Sequence, residues 1–250
     1  MKLIDPAELI LHLIPMDIFV NCEPITIDLV YANANHPRNI FKTAIYHDKA
    51  RLWAHCDMAL ITIMAARKLY KEHHYTLELK DCLRTFEAQE AMQETDIVKA
   101  NPHWCIGEDR LLAPPGAGAH PRGMAIDACV LDIQNFQIDM GTEFDTMTAQ
   151  SHRNYIDFPK SVLKNRKILE ESFLSSAKQV DLPFIGLQSE WWDYRFSPDY
   201  TRLIQPLSDK NLPPQMQMTH QIDNNIADFP QEHFDKLAQE IITKADGYLS

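Results

Sequence analysis

The chain has 250 residues, of which 45% are hydrophobic, and it carries a formal net charge of −11 at pH 7. That hydrophobic content is enough to build a sizeable core, so we expect a folded globular protein. No basic stretch offsets the negative charge, and nucleic acid and anionic membrane surfaces are therefore not expected partners.

The N-terminal segment and the cysteines indicate in which cellular compartment the protein is expected. Residues Met1–Val20 contain Asp5, Pro6, Glu8 and Pro15, which do not fit a signal peptide, and no apolar run reaches the roughly 18 residues of a membrane span. The five cysteines are widely spaced and form no C-x-x-C pair, which argues against a disulfide framework and a zinc ribbon. We expect a cytoplasmic protein.

The first half of the chain is expected to mix strands and helices. Up to about residue 45 we expect strands and loops, as in the β-branched stretch Ile25–Val30. Helical spacing of apolar residues predicts a helix over about Lys49–Lys71, with Asp48 as its N-cap. Tyr75–Leu79 alternates like a strand, and the composition of Phe86–Gln93 favours a helix.

The second half continues this mixture. The many prolines and glycines of Asn101–Gly123 predict an irregular loop, which leads into a strand over Met124–Ile133. A helix is predicted over Ser161–Ala177 and a strand region over Phe184–Phe196.

The last helix is predicted to begin at Pro230, and Gly247 is placed to end it. No repeat or polar linker divides the chain, so we expect one domain over residues 1–250, with residues 206–250 as a C-terminal helical extension. Helices and strands without regular βαβ alternation predict the α+β class.

A first chemical signal is the stretch Gly118–Asp127. His120 lies in the irregular loop, whereas Asp127 lies in a strand with almost only apolar neighbours. An unpaired carboxylate there is costly, and a cation shared with the imidazole would satisfy it. The alternative is that Asp127 caps a backbone turn or pairs with Arg122.

A second signal is Ser189–Phe196, in which Glu190 and Asp193 flank two tryptophans. The alternative is that the aromatic residues form a core face while the two acids are solvated or pair with Arg195. A third is Arg84, in the Asp-Cys-Leu-Arg stretch that follows a predicted strand. Its guanidinium could pair with Glu87 or face a reacting carbonyl.

In their order and spacing, these stretches resemble the D-alanyl-D-alanine dipeptidase branch of the D-peptide-cleaving zinc peptidases. The resemblance covers about Asn33–Phe196 and includes an arginine turn, a Ser-x-His-x-x-Gly-x-Ala-x-Asp motif and a Glu-Trp-Trp-His motif. It implies a central, mostly antiparallel sheet flanked by helices, as in the Hedgehog and DD-peptidase folds.

The resemblance also implies roles for individual residues. His120 and Asp127 would bind zinc, Glu190 would act as general base and acid, and Arg84 would stabilise the transition state. Asp145, in a Met-Gly-Thr-Glu-Phe-Asp segment, would receive the ammonium group of the substrate. The implied reaction is hydrolysis of D-alanyl-D-alanine, or a closely related D-amino-acid dipeptide, to free D-alanine.

Three positions depart from the family pattern. Asp193 stands where the family has its third zinc ligand, a histidine, and Gly118 and Thr85 replace a serine and a proline. With His120, Asp127 and Asp193 as ligands of one Zn²⁺ per chain, two carboxylates cancel the charge of the ion. We therefore expect weaker activity, a higher pH optimum or a harder metal.

These departures leave a second interpretation open, a catalytically weakened or inactive member that binds a cell-wall-derived peptide. One geometric requirement follows for catalysis. In a regular strand Glu190 and Asp193 would point to opposite faces, so Glu190 must precede the strand or a bulge must intervene. The sequence does not predict the oligomeric state.

Overall fold

A computed structural model of the chain describes residues 4–107, 111–220, 222 and 224–249. Within this part the strands and helices alternate irregularly along the chain. The strands are β1 (Leu13–Pro15), β2 (Ile25–Ile27), β3 (Trp53–His55), β4 (Thr76–Asp81), β5 (Ala125–Leu131), β6 (Phe184–Gly186) and β7 (Asp193–Phe196). The helices are α1 (Pro6–Leu9), α2 (Cys56–His73), α3 (Phe86–Gln93), α4 (Asp96–Ala100), α5 (Lys160–Gln179), α6 (Pro198–Thr201) and α7 (Gln231–Leu249).

The centre of the fold is a five-stranded sheet with the order β2-β4-β5-β7-β6. β2 runs parallel to β4, and the other three neighbouring pairs are antiparallel. β1 and β3 form a separate antiparallel pair. The predicted α+β class, with a mostly antiparallel central sheet, is confirmed.

Helix α2 lies at the middle of the helical layer. It packs against α5, α7 and β4, and its buried face includes Met58, Ile61 and Leu69. The C-terminal helix α7 is joined to the core by Phe234, whose ring centroid lies 5.4 Å from that of Trp53. No helix in the described part of the chain is both long enough and apolar enough to cross a bilayer.

The predicted start of α2 at about Lys49, with Asp48 as N-cap, is wrong. The chain first pairs Trp53–His55 with β1, which buries the Trp53 indole completely, and the helix begins only at Cys56. The cap is His55, whose Nδ1 accepts a hydrogen bond from the Asp57 amide at 3.2 Å. Tertiary burial outweighs helical periodicity here.

Other boundaries differ less. The helix Phe86–Gln93 is confirmed, and the strand predicted over Met124–Ile133 is shorter at both ends. The loop Asn101–Gly123 contains only short 3₁₀ turns in its described residues, and residues 108–110 lie outside them. The expected end at Gly247 is wrong, because α7 continues to Leu249. A single glycine costs a helix only about 1 kcal/mol.

The two regions predicted as strand material, the first 45 residues and Phe184–Phe196, contain more elements than predicted. The first 45 residues contain α1 and several 3₁₀ turns besides β1 and β2, and α4 was not predicted. The strand region Phe184–Phe196 is a hairpin of β6 and β7 rather than one strand. Its connection carries Glu190, which therefore precedes β7, as expected from the sequence for a catalytic role of Glu190.

Candidate active site

A row of three buried aspartates crosses the central sheet at one end. In the strand register Asp81 lies opposite Asp127, and Asp127 lies opposite Asp193. A register shift between Leu79 and Asp81 brings Asp81 into this row. Directly opposite residues share a face of a sheet, so the three carboxylates lie close together. All three are at most 2% exposed.

His120 lies over this row, in a 3₁₀ turn formed by His120–Arg122. Its Nδ1 donates to the Cys82 carbonyl at 2.7 Å, which turns Nε2 towards Asp193 Oδ2 at 3.2 Å and Asp127 Oδ1 at 3.6 Å. Burial and Arg84 disfavour the charged imidazole, but Asp127 and Asp193 outweigh them and raise the pKa of His120 to about 9. A cation would displace the proton from Nε2.

Asp127 provides the strongest indication of a site that could bind a cation. Its Oδ1 is buried and accepts no hydrogen bond from the described residues. Such an atom costs free energy unless a partner satisfies it. The alternative pairing of Asp127 with Arg122 is not observed, because the Arg122 guanidinium donates to the carbonyls of Ile204, Gly116 and Gly118.

Arg84 is held between two members of the aspartate row. Its Nε and Nη2 donate to Asp81 Oδ2 at 2.9 and 2.7 Å, and Nη2 lies 3.5 Å from Asp127 Oδ2. Tyr46 donates to the other oxygen of Asp81 at 2.7 Å. The alternative partner Glu87 instead accepts hydrogen bonds from Ser208 and the Asp209 amide. Asp81 therefore positions Arg84, and both of its carboxylate oxygens accept hydrogen bonds.

Asp193 forms a two-point ion pair with Arg195. Nε donates to Oδ1 at 2.7 Å, and Nη2 donates to Oδ2. Burial would raise the pKa of Asp193, but Arg195 and His120 lower it well below its ordinary value. The sequence-based alternative that Asp193 pairs with Arg195 is therefore correct as a contact. It does not exclude a metal, because Oδ2 also faces His120 Nε2.

Glu190 lies beside the aspartate row, in the loop before β7. One of its oxygens lies within 4.8 Å of a carboxylate oxygen of Asp127 and one of Asp193. Removal from water, together with these two carboxylates, raises the pKa of Glu190 to about 8. A carboxyl that titrates near neutral pH is suited to taking up and releasing a proton.

The charge of this site depends on the protons of His120 and Glu190. Their raised pKa values favour a charged His120 and a neutral Glu190 near neutral pH, so His120, Arg84 and Arg195 together offset the three aspartates. A divalent cation that displaces the His120 proton would allow Glu190 to ionise at the same overall charge. His120, Asp127 and Asp193 present a nitrogen and two carboxylate oxygens, a donor set that suits such an ion. Two overlapping groups of side chains have ligand atoms within 4.8 Å of one another and could hold a metal ion, namely Asp81, His120 and Asp127 in one and Asp127, Glu190 and Asp193 in the other.

This cluster opens into a cavity of about 280 Å³. Arg84, His120, Glu190 and Asp193 line it, so four of the six predicted site residues face one space. A larger cavity of about 570 Å³ lies between α2 and α5, but the predicted residues do not line it. The smaller cavity suits a ligand below the size of a typical drug.

Of the two predicted residues that do not line this cavity, Asp127 belongs to the aspartate row, whereas Asp145 lies outside that row. It is buried, and its Oδ2 accepts a hydrogen bond from Tyr31 at 2.8 Å. Burial raises the pKa of Asp145 to about 7, although the Tyr31 hydroxyl lowers it. Tyr31 links it to the site, because the Arg84 guanidinium carbon lies 5.6 Å from the Tyr31 ring centroid.

Sequence reasoning assigned no site role to Asp81, Tyr31, Tyr46 or Arg195. Asp81 and Arg195 had a usable signal, because each lies two or three residues from a predicted site residue of opposite charge. The two tyrosines are far from their partners in sequence, and no local pattern marks them.

Comparison with known proteins supplies an independent result. A family model described as D-ala-D-ala dipeptidase matches residues 13–210 of the chain. This span includes every predicted site residue and ends before α7. No curated protein matches the chain significantly.

Proposed function

Because the chain belongs to the D-ala-D-ala dipeptidase family of metal-dependent peptidases, we propose that it hydrolyses D-alanyl-D-alanine, or a closely related D-amino-acid dipeptide, to free D-alanine. We further propose one Zn²⁺ per chain, held by His120, Asp127 and Asp193. The observation that carries this proposal is the buried, unsatisfied Asp127 Oδ1, which faces His120 Nε2 beside a half-buried Glu190.

The proposed chemistry divides among the residues that line the cavity. When bound, the ion supplies Lewis-acid chemistry that polarises a peptide carbonyl. Glu190 takes a proton from the attacking water and passes it to the leaving amine, a role that its raised pKa supports. Arg84 places a positive charge at the cavity wall, where it offsets the charge that develops on the carbonyl oxygen.

We propose Asp145 as the acceptor of the substrate ammonium. Tyr31 engages only its Oδ2 among the described hydrogen bonds, which leaves Oδ1 for a second donor. A raised pKa means that the carboxylate gains from a nearby cation. This role predicts a strong preference for dipeptides with a free N-terminus.

A substrate panel tests the proposal. Purified protein is freed of metal with a chelator, reloaded with Zn²⁺, Mn²⁺ or Mg²⁺, and given D-Ala-D-Ala, L-Ala-L-Ala or N-acetyl-D-Ala-D-Ala. We expect D-alanine release from free D-Ala-D-Ala with zinc and little from the other two substrates. Equal cleavage of the L,L-dipeptide, or of the acetylated dipeptide, would contradict the proposed substrate class.

One observation favours a second candidate function, a member that binds a cell-wall-derived peptide without turnover. Arg195 engages both oxygens of Asp193, which competes with coordination of an ion. Titration calorimetry with D-Ala-D-Ala separates the two functions. Saturable binding without D-alanine release in zinc-loaded protein would support the binding protein.

A further inference from the structure

Asp193, which forms an ion pair with Arg195, stands at the sequence position where the Glu-Trp-Trp-His motif of the resembled family has its histidine, the third ligand that the resemblance implies. The two residues are two apart on β7, so they share a face of the sheet. Asp193 is fully buried, and the guanidinium engages both of its oxygens. Such a two-point contact fixes the plane of a carboxylate as well as pairing its charge.

The second departure from the family pattern near the cavity touches the same guanidinium. Gly118 has a φ of +83°, and a Cβ built on it would lie 3.8 Å from Arg195 Nη1. That distance is an ordinary van der Waals contact, so a Cβ would fit there, and it is the positive φ that favours glycine. Gly118 thus borders Arg195, and the residues at 118, 193 and 195 are neighbours in one structural unit.

The charges of this unit are also matched. Replacing a neutral histidine ligand by Asp193 adds one negative charge beside the ion, and Arg195 adds one positive charge. The net charge around the ion is therefore the same as with two histidines and one aspartate. Buried charges interact more strongly than charges in water, so this balance matters at a site of such low exposure.

Building on the proposed function, we propose that Arg195 is a positioning residue that, together with Asp193, replaces the third histidine ligand. Arg195 orients the Asp193 carboxylate and offsets its charge. Two carboxylate ligands alone would predict weak activity. Because Arg195 offsets one of their charges, we no longer expect the activity to be weak. Changing Asp193 to histidine by itself harms the site, because it leaves Arg195 without its carboxylate beside a cation.

A double-mutant cycle tests this inference with wild type, Arg195→Gln, Asp193→His and the double variant. Zinc affinity is measured by competition with a chromophoric chelator. The kcat/KM for D-Ala-D-Ala is measured separately at saturating zinc. We expect Asp193→His to bind zinc about tenfold more weakly than the double variant. We expect Arg195→Gln to lower kcat/KM about tenfold in wild type and to raise it about tenfold in Asp193→His.

The matched control is Arg202→Gln, which removes the same charge from an arginine that is 70% exposed and pairs with Asp199. It should leave both quantities within about twofold in either background. Where Arg195→Gln does not fold, Arg195→Lys keeps the charge but loses the two-point contact, so both quantities should fall in wild type and change little in Asp193→His.

Two outcomes separate the inference from the proposed function. If Arg195→Gln changes zinc affinity by the same factor in both backgrounds, the residues at 193 and 195 are not coupled and the inference is overturned. If zinc affinity shows the coupling but even wild type releases no D-alanine, the inference holds and the proposed dipeptidase activity fails.

Discussion

Asp145 provides a test of whether burial raises the pKa of a carboxyl group in this protein. Its carboxyl is 4% exposed, its Oδ2 accepts from Tyr31, and burial raises its pKa from an ordinary 3.8 to about 7. Asp145→Asn removes the titrating group and keeps an oxygen that can accept from Tyr31. The substitution therefore tests the effect of ionisation at this position separately from the hydrogen bond with Tyr31.

The sign follows from proton linkage. Between about pH 4 and pH 7 the folded protein holds a proton on Asp145 that the unfolded chain has lost, so the free energy of unfolding falls as pH rises through this window. The whole shift corresponds to about 4 kcal/mol. Between pH 5 and pH 8 the loss amounts to about 3 kcal/mol. The Asp145→Asn variant has no carboxyl group to ionise at this position, so its unfolding free energy does not fall for this reason.

Urea unfolding of metal-free wild type and Asp145→Asn at pH 5, 6, 7 and 8 measures the effect. We expect the difference in unfolding free energy between variant and wild type to move in favour of the variant by about 3 kcal/mol from pH 5 to pH 8. Asp199→Asn is the control, because it removes the same charge from a carboxylate that is 83% exposed. A constant difference for Asp145→Asn would refute the reasoning.

Three further predictions concern catalysis and stability. Glu190→Gln should lower kcat for D-Ala-D-Ala by about 10²–10⁴-fold and leave zinc affinity within a few-fold, whereas Glu94→Gln, at an exposed carboxylate, should change neither. Gly118→Ala should lower the free energy of unfolding by about 1–2 kcal/mol, because φ is +83° there, and an unchanged urea midpoint would contradict that backbone geometry. Phe234→Ala should cost about 3–5 kcal/mol by removing the contact of α7 with Trp53, whereas Phe136→Ala, at a residue that is 68% exposed, should cost little in the same urea titration. Similar losses for both phenylalanines would show that α7 is not anchored in the core.

The need of Asp127 for a partner could be predicted, because its charge contrasts with its apolar neighbours in the strand. A carboxylate among apolar neighbours in a strand needs a partner, and the structure shows that one of its oxygens lacks a hydrogen-bond partner among the described residues. His120 was predictable for the same reason, as the imidazole nearest upstream. The requirement that Glu190 precede the strand followed from the period of two in strands, and its position before β7 satisfies it.

The aspartate row was not predictable, because it depends on strand register. Asp81 reaches the row only through the register shift after Leu79, and no sequence pattern specifies which strands become neighbours. The start of α2 was missed for a related reason. Trp53 gains more from burial in the β1–β3 pair than the helix gains from an additional turn at its start.

The most direct test of the proposed metallo-dipeptidase activity is D-alanine release from D-Ala-D-Ala by one preparation in three states: as purified, stripped of metal, and reloaded with one equivalent of zinc. The metal content is determined in each state. We expect release to disappear with the metal and to return at a stoichiometry of one zinc per chain, and to be absent from Asp127→Asn, which loses the carboxylate facing His120. Release that persists in fully stripped protein, or that is undiminished in Asp127→Asn, would contradict a metal centre at His120, Asp127 and Asp193.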